Sequence, residues 1–359
     1  MIPAIVHVAS GREWRGGQRQ VWLLACELQR RGIAQVVITG KDSELGRRLG
    51  AAGVPVRLAR WHAGVDPRVI PVILREIRHR YALLHAHDSH ALTLAGISAA
   101  VARTPFIATR RVIFPIRRNT LWVRAQRVIA ISDAVRQALI ADGLSPDRLT
   151  VIPSGVDVAE LRASRGPSIR TRFSLPEKGQ VAASLGALTP EKDVFTLLEA
   201  AALLVRDLPD LHWIVVGEGP LRSILLDRIR QLGLTERVHL VGGLTDPHLA
   251  LTGADVFVLS SQAEGLGSSI LAAMALEVPV VATRVGGVPE LLESGAGALV
   301  PPGSPAELAG AVRRVLREPE YAAGLRLAAR QRLGSFSISA MAEQVVEVYR
   351  SCAHTLDGS

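Results

Sequence analysis

Cysteine is nearly absent from this chain of 359 residues: Cys26 and Cys352 are its two thiols, and neither has a Cys or His at metal-ligand spacing. Two thiols are too few to staple a chain of this size, which points to a reducing compartment and away from structural zinc. Aromatic residues make up only 4%, and no basic stretch is interleaved with rings. Single-stranded nucleic acid is therefore a poor partner. Apolar runs of about eighteen residues without a charge are also missing, and Gly11, Arg12 and Glu13 interrupt the N-terminal apolar stretch too early for a secretory segment. Neither a spanning nor a secreted chain is expected. Lysine occurs only at positions 41, 178 and 192.

Hydrophobic residues are abundant, at 48%, enough to bury a large core, and the length suggests two domains. The net charge of +9 is uneven, with +11 in residues 1–160 and −2 in the remainder. Such a field attracts phosphates, anionic headgroups or nucleic acid, and its sign does not choose among them.

Strand-like and helix-like periods alternate. Ala4 to Val8 reads as a strand, Gln20 to Arg31 as a helix and Gln35 to Thr39 as a strand. Strands follow at Leu83 to His87, Phe106 to Thr109, Val128 to Ile131 and Leu149 to Ile152. Helices are expected over Ala91 to Val101 and, capped by Ser132, over Asp133 to Ala141. The Arg- and Ser-rich stretch from Arg162 to Arg172 reads as a linker. A second series has strands at Val181 to Leu185, Leu211 to Val216, Val238 to Leu240, Val256 to Leu259 and Val280 to Ala282, with helices over Val194 to Asp207, Leu221 to Gln231 and Ser268 to Leu276. The tail from Pro305 is helical, broken at Gly324 and Gly334, and ends in a helix over Ser339 to Arg350. Buried strands alternating with helices specify an α/β chain of two doubly wound, Rossmann-like domains, with ligands at the carboxyl ends of the strands.

Several loops sit at such ends. Gly16 and Gly17 open the first helix, and with Arg12, Arg15 and Arg19 nearby their bare amides suit an anion, although the glycines lack dinucleotide-binding spacing. In His85-Ala86-His87-Asp88, alternation puts both histidines on one face. The pair could ligate a metal, but no carboxylate or thiol completes a site, and a satisfied buried pair is the plain alternative. Gly186 to Lys192 carries a cation to a helix start, and Gly217-Glu218-Gly219-Pro220 repeats the strand-glycine-helix turn with Pro220 suited to the first turn. The densest loop, Glu264-Gly265-Leu266-Gly267-Ser268-Ser269, offers amides to a diphosphate and a carboxylate to sugar hydroxyls, so a sugar nucleotide fits it well.

In this order, these loops, with Ile131-Ser132-Asp133, Val151 to Asp157 and Gly286-Gly287-Val288-Pro289-Glu290, resemble the retaining glycosyltransferases of family 4, the "glycosyl transferases group 1" class with the GT-B fold. The resemblance covers nearly the whole chain. It implies two Rossmann-like domains facing across a cleft: an acceptor domain over 1–160, joined by a last helix at about 339–352, and a donor-nucleotide domain over 161–338. It places Gly17 by the donor diphosphate, His87 by the transferred sugar, Lys192 on the phosphates and Glu264 on the sugar hydroxyls. His87, Lys192 and Glu264 are then the catalytic residues, and Gly16, Gly17, Gly186, Gly217, Gly265, Leu266, Gly267, Ser268 and Ser269 bind the donor. Arg110 and Arg111 are candidates for the acceptor side or for the departing diphosphate. No D-x-D motif is present, so no metal and no cofactor beyond the nucleotide-sugar donor are expected.

Three positions depart from the family pattern: Ala187 where an Arg is usual, Ala272 where a second Glu is usual, and Glu277 where Gly is frequent. Ala187 and Ala272 leave open a degenerate member that binds nucleotide or glycan without transfer; a sugar-nucleotide epimerase on the same fold is a further alternative. The expected acceptor is a glycan or glycolipid of cell-envelope polysaccharide or lipopolysaccharide synthesis. The expected location is the cytoplasm, with peripheral contact at the inner membrane through the basic half and Arg110 to Arg118, and with no nucleic-acid partner.

Overall fold

The structure, a computed structural model, describes residues 2–62, 64–78, 82–116, 121–163 and 166–354. The chain forms two compact units, Met1–Gly155 with Phe336–Ser359, and Val156–Ser335. The first unit runs β1 (Ala4–Val8), α1 (Gly16–Arg30), β2 (Gln35–Gly40), α2 (Glu44–Ala51), β3 (Val56–Ala59) and α3 (Ile70–Arg78). It continues with β4 (Ala82–Ala86), α4 (Ser89–Ala102), β5 (Phe106–Arg110), β6 (Arg127–Ala130), α5 (Asp133–Ala141) and β7 (Leu149–Val151). All seven strands are parallel, in the order β3-β2-β1-β4-β5-β6-β7. The order reverses between β1 and β4, so their carboxyl ends open a crevice.

The second unit begins with α6 (Val158–Ala163) and α7 (Ile169–Arg172), then β8 (Gln180–Leu185), α8 (Val194–Leu204), β9 (Leu211–Val216), α9 (Arg222–Gln231) and β10 (Val238–Gly242). It closes with β11 (Val256–Leu259), α10 (Ser268–Ala275), β12 (Val280–Thr283), α11 (Val288–Leu292), β13 (Ala298–Val300), α12 (Pro305–Arg317) and α13 (Pro319–Arg332). Its six parallel strands take the order β10-β9-β8-β11-β12-β13, with the reversal between β8 and β11. Strands such as Val-Phe-Val-Leu in β11 are buried throughout, the apolar texture of a sheet covered on both faces. The last helix, α14 (Ile338–His354), returns to the first unit.

The sequence reading requires four corrections here. Residues 162–172 are not a free linker: they contribute to α6 and α7, Ile169 is fully buried, Arg162 pairs with Glu277 at 2.7 Å, and Arg170 pairs with Asp255 at 2.7 Å. Arginine there serves as tether. Gly324 lies inside α13 with no neighbour near its missing Cβ, whereas the break falls at Pro319, whose ring cannot continue α12. Pro220 lies before α9, which begins at Arg222. Finally, α2, β3 and α3 escape the apolar periods. β3 is an edge strand with exposed Arg57 and Leu58, and α3 buries only Ile73 and Ile77.

Helix α14 packs against α1, sharing one buried cluster with β1, β4, β5 and β6: Ile5, Leu24, Leu83, Ile107 and Ile129 against Met341, Val345 and Tyr349. An ionised carboxylate in that cluster has no partner and costs several kcal/mol. Val345→Asp is expected to unfold the first unit at a denaturant concentration that leaves the second intact. Trp14, Trp22, Trp61 and Trp122 report the first unit and Trp213 the second, and a single unshifted fluorescence transition would contradict the dependence on α14.

Candidate functional site

In the first unit the site grows from β1 and β4. Their register sets His7 opposite His85, and His87 follows two residues later, its amide bonded to the Val8 carbonyl at 3.0 Å. Three imidazoles thus gather at the sheet end, all within 4% of full burial. His7 Nδ1 and His87 Nε2 are 2.9 Å apart. His85 has both nitrogens engaged, Nδ1 with the Tyr349 hydroxyl of α14 at 2.8 Å and Nε2 with the Thr109 hydroxyl of β5 at 2.7 Å. One nitrogen from each of the three lies within 4.8 Å of the others, and no carboxylate or thiol joins that group among the described residues. His7 Nε2 and His87 Nδ1 have no hydrogen-bond partner among the described residues.

Asp88, the last residue of that motif, has a structural task. Its carboxylate caps α4 by accepting from the His90 and Ala91 amides, and it also accepts from the Ser10 amide at 2.7 Å and hydroxyl at 2.6 Å. It ties the loop after β4 to the loop after β1. Gly16 and Gly17 form the first turn of α1, which has no side-chain cap, and Gly17 lies 3.7 Å, at its missing Cβ, from Arg111 Cδ. Arg111 makes no hydrogen bond or ion pair among the described residues, its Nε is buried, and burial lowers its pKa to about 10. Arg110 differs: its guanidinium donates to the Phe114 carbonyl and lies 5.3 Å over the Trp122 ring. It anchors its own loop, which leaves Arg111 as the free cation of the pair.

In the second unit the loops after β8 and β11 are laced together. The Gln262 amide donates to the Glu191 carbonyl at 2.8 Å, and the Ser260 hydroxyl donates to the Lys192 carbonyl at 3.1 Å. Asp193, at a φ of 43°, caps α8 and accepts from Gln262 Nε2 at 2.6 Å. Across this seam Lys192 Nζ donates to Glu264 Oε1 at 2.6 Å, and Ser261 Oγ donates to the same oxygen at 2.8 Å. Glu264 Oε2 accepts no hydrogen bond among the described residues.

Glycine is needed at two points of this frame. A Cβ on Gly286 (φ 49°) would lie 1.7 Å from the Glu264 carbonyl oxygen, and one on Gly217 would lie 1.8 Å from that of Gly186. Gly267 takes a φ of 90° and starts α10 without a side-chain cap, so the amides of Ser268 and Ser269 open its first turn. The Leu266 side chain is 2% exposed and belongs to the core.

Residues 14–160 match the family described as "Glycosyltransferase Family 4", and residues 167–332 match "Glycosyl transferases group 1". A D-inositol 3-phosphate glycosyltransferase of Kineococcus radiotolerans is 34% identical, over 91% of this chain and 88% of its own length. The chain belongs to the family 4 glycosyltransferases. A "Putative teichuronic acid biosynthesis glycosyltransferase TuaC" of Bacillus subtilis is 30% identical, over 74% of this chain and 69% of that protein. Anabaena HepE, solved with UDP and glucose, superposes with a TM-score of 0.85 at 23% identity, over 97% of this chain and all of that one. Two Rossmann-like units of the GT-B kind are thus what this family 4 chain shares with solved structures.

One departure from the family pattern now has a physical reading. Glu277 ends α10 at a φ of 61°, the left-handed position that glycine fills without strain, and its carboxylate holds Arg162. Ala272 is buried in α10, 2% exposed. The sequence reading missed two members of the site. Ser261 fixes Glu264, and His7 completes the histidine group; the available signal for His7 was a lone polar residue inside the buried run Ala-Ile-Val-His-Val.

Neutral burial of these three rings predicts acid sensitivity in the first unit. Burial lowers His7 from 6.5 to about 3, and His85 and His87 well below 6.5. The unfolded chain takes up protons that the folded rings refuse, so stability is full above about 6.5 and falls as pH drops toward 3, each ring adding at most about 1.4 kcal/mol per pH unit. The first unit's melting temperature is expected to drop between pH 7 and pH 5, with a shallower drop in His7→Gln. Parallel pH profiles for the two proteins would contradict this origin.

Proposed function

We propose that this glycosyltransferase moves a sugar from a nucleoside diphosphate donor to a hydroxyl of a phosphate-bearing glycan or glycolipid, with retention at the anomeric carbon and without a metal ion. The observation that carries the donor half is the Lys192–Glu264 pair at the carboxyl ends of β8 and β11. A diphosphate arriving beside Lys192 replaces Glu264 as the partner of the ammonium. Glu264, still held by Ser261, then accepts from sugar hydroxyls. The amides of Gly267, Ser268 and Ser269 add the positive end of α10, while the turns at Gly186 and Gly217 let the backbone close around the donor.

In the first unit, His87 accepts from the transferred sugar, the first turn of α1 at Gly16 and Gly17 lies by the donor diphosphate, and Arg111 holds the acceptor's phosphate. Two of the relatives, named as an inositol phosphate glycosyltransferase and a teichuronic acid biosynthesis glycosyltransferase, support anionic acceptors and envelope polysaccharide assembly. The acceptor oxygen bonds to the anomeric carbon as the bond to the diphosphate breaks on the same face, and the acceptor proton passes to the departing phosphate. Orientation and charge stabilisation are then the protein's whole task. Full engagement of His85 by Tyr349 and Thr109 supports the metal-free reading.

A thermal-shift screen with UDP, GDP, ADP, TDP and CMP identifies the base. With that donor, Lys192→Ala is expected to lose about 3 kcal/mol of transition-state stabilisation, on the order of 10²-fold in kcat/KM, and chelation of divalent cations to leave turnover unchanged. Full activity in Lys192→Ala would overturn the donor assignment.

Peripheral contact with an anionic lipid surface, at the cytoplasmic face of the membrane, belongs to the same proposal. Val112 and Phe114 are 39% and 50% exposed beside Arg111; Arg117 and Arg118 lie outside the described residues. No helix among the described residues is long and apolar enough to cross a membrane. Vesicles containing anionic lipid are expected to carry the protein in flotation, neutral vesicles are not, and Phe114→Glu is expected to reduce recovery. Equal recovery with both vesicles would remove the contact.

A further inference from the structure

The histidine group contains a chain of side chains that has not entered the reaction above. Gln35 of β2 is 3% exposed, and its Nε2 donates to the Ala25 carbonyl of α1 at 2.6 Å. That bond fixes the amide's orientation, since only the nitrogen can donate. The oxygen, Oε1, is buried without a formed hydrogen bond among the described residues, as is His7 Nε2. The register of β1 with β2 sets Gln35 beside Ile5, two residues before His7 and on the same face of the sheet, and Gln35 opposes the effect of burial on His7 as a hydrogen-bond acceptor does. On its other side His7 meets His87 through Nδ1 and Nε2.

Buried and neutral, each ring carries one proton, and the chain admits two arrangements. If His7 carries its proton on Nδ1, its bare Nε2 opposes the lone pairs of Gln35 Oε1, and His87 is left with an unpaired N–H at Nδ1. If His7 carries its proton on Nε2, Gln35 accepts it, His7 Nδ1 accepts from His87 Nε2–H, and the one group left over is the His87 Nδ1 lone pair. The second arrangement is favoured because a buried donor without an acceptor is the costlier orphan, and it also removes the repulsion at Gln35.

We propose that Gln35 and His7 are positioning residues that hold His87 as its Nε2–H tautomer, leaving Nδ1 as a hydrogen-bond acceptor for a hydroxyl of the transferred sugar. This rests on the reading of His87 as the residue beside that sugar. An acceptor at Nδ1 selects a ligand that brings an O–H, and rejects a bare carbonyl or ether at the same place. No proton leaves the chain of rings, so its role is orientation and not acid-base exchange.

The test is 15N NMR of the full-length, histidine-labelled protein at pH 7, with His87 assigned through His87→Asn. The expected spectrum shows a pyrrole-like Nε2 and a pyridine-like Nδ1 for His87. Gln35→Leu is expected to mix or reverse that pattern and to lower kcat by roughly fivefold to tenfold, the worth of one neutral hydrogen bond, with KM little changed. Gln35→Glu, which keeps an acceptor oxygen for His7 but loses the donor to the Ala25 carbonyl, is expected to restore the tautomer pattern more fully than kcat. A proton on His87 Nδ1 in the unaltered protein overturns the proposal without any variant having to fold, as does a Gln35→Leu spectrum identical to it. If the tautomer is as expected but His87→Asn keeps full turnover, the sugar contact fails and the positioning assignment has no reaction to serve.

Discussion

The chemistry of the first unit depends on β1 lying beside β4. Parallel pairing at that place reverses the strand order, opens the crevice at the carboxyl ends and sets His7 across from His85. Three imidazoles would be costly in an apolar sheet, and hydrogen bonds offset that cost: Tyr349 and Thr109 satisfy His85, and His7 and His87 satisfy each other on one side. Tyr349 arrives on α14, from the far end of the sequence, so that helix contributes both apolar cover and a polar partner. Removing any one of these contacts leaves a buried polar group alone.

The second unit uses the same topology with a different balance. Between β8 and β11 the crevice carries a cation and a carboxylate, Lys192 24% and Glu264 9% exposed on their side chains, paired at 2.6 Å. A pair so placed aims both groups before any ligand arrives, so an anionic ligand exchanges one partner for another instead of desolvating a lone ammonium. Ser261 and the near-contact of Gly286 with the Glu264 carbonyl keep the carboxylate in place through that exchange. The loops that bear the charges are thus fixed by neutral hydrogen bonds and by backbone crowding.

Arginine, so abundant in the chain, divides by its surroundings into tethers and free charge. Arg162 and Arg170 tie α6 and α7 to the second unit, and Arg110 stacks over Trp122 while donating to Phe114. Arg111, next in sequence to Arg110, is half-buried and makes no hydrogen bond or ion pair among the described residues; burial pulls its pKa down to about 10 while the nearby Asp88 carboxylate opposes that shift. A positive field summed over the first half of the chain does not distinguish these roles. The neighbours of each guanidinium do.

The alternation of apolar strands and helices determined, from sequence alone, two parallel doubly wound sheets, and the glycine loops marked where their strands end, because period and turn chemistry are local properties. Ser132 and the strand Leu211–Val216 were legible for the same reason. Elements with exposed or mixed faces were not: β3 and α3 carry too few buried residues, and the tethering arginines of 162–172 resemble a solvated linker until Glu277 and Asp255 are set beside them. The site divides in the same way. Lys192 and Glu264 announce themselves by residue type and place, yet their pairing spans 72 positions in the chain. His7, 80 positions from His87 and far from Tyr349, became a partner only when β1 paired with β4 and α14 closed over them, since register and burial are decided by the packed sheet.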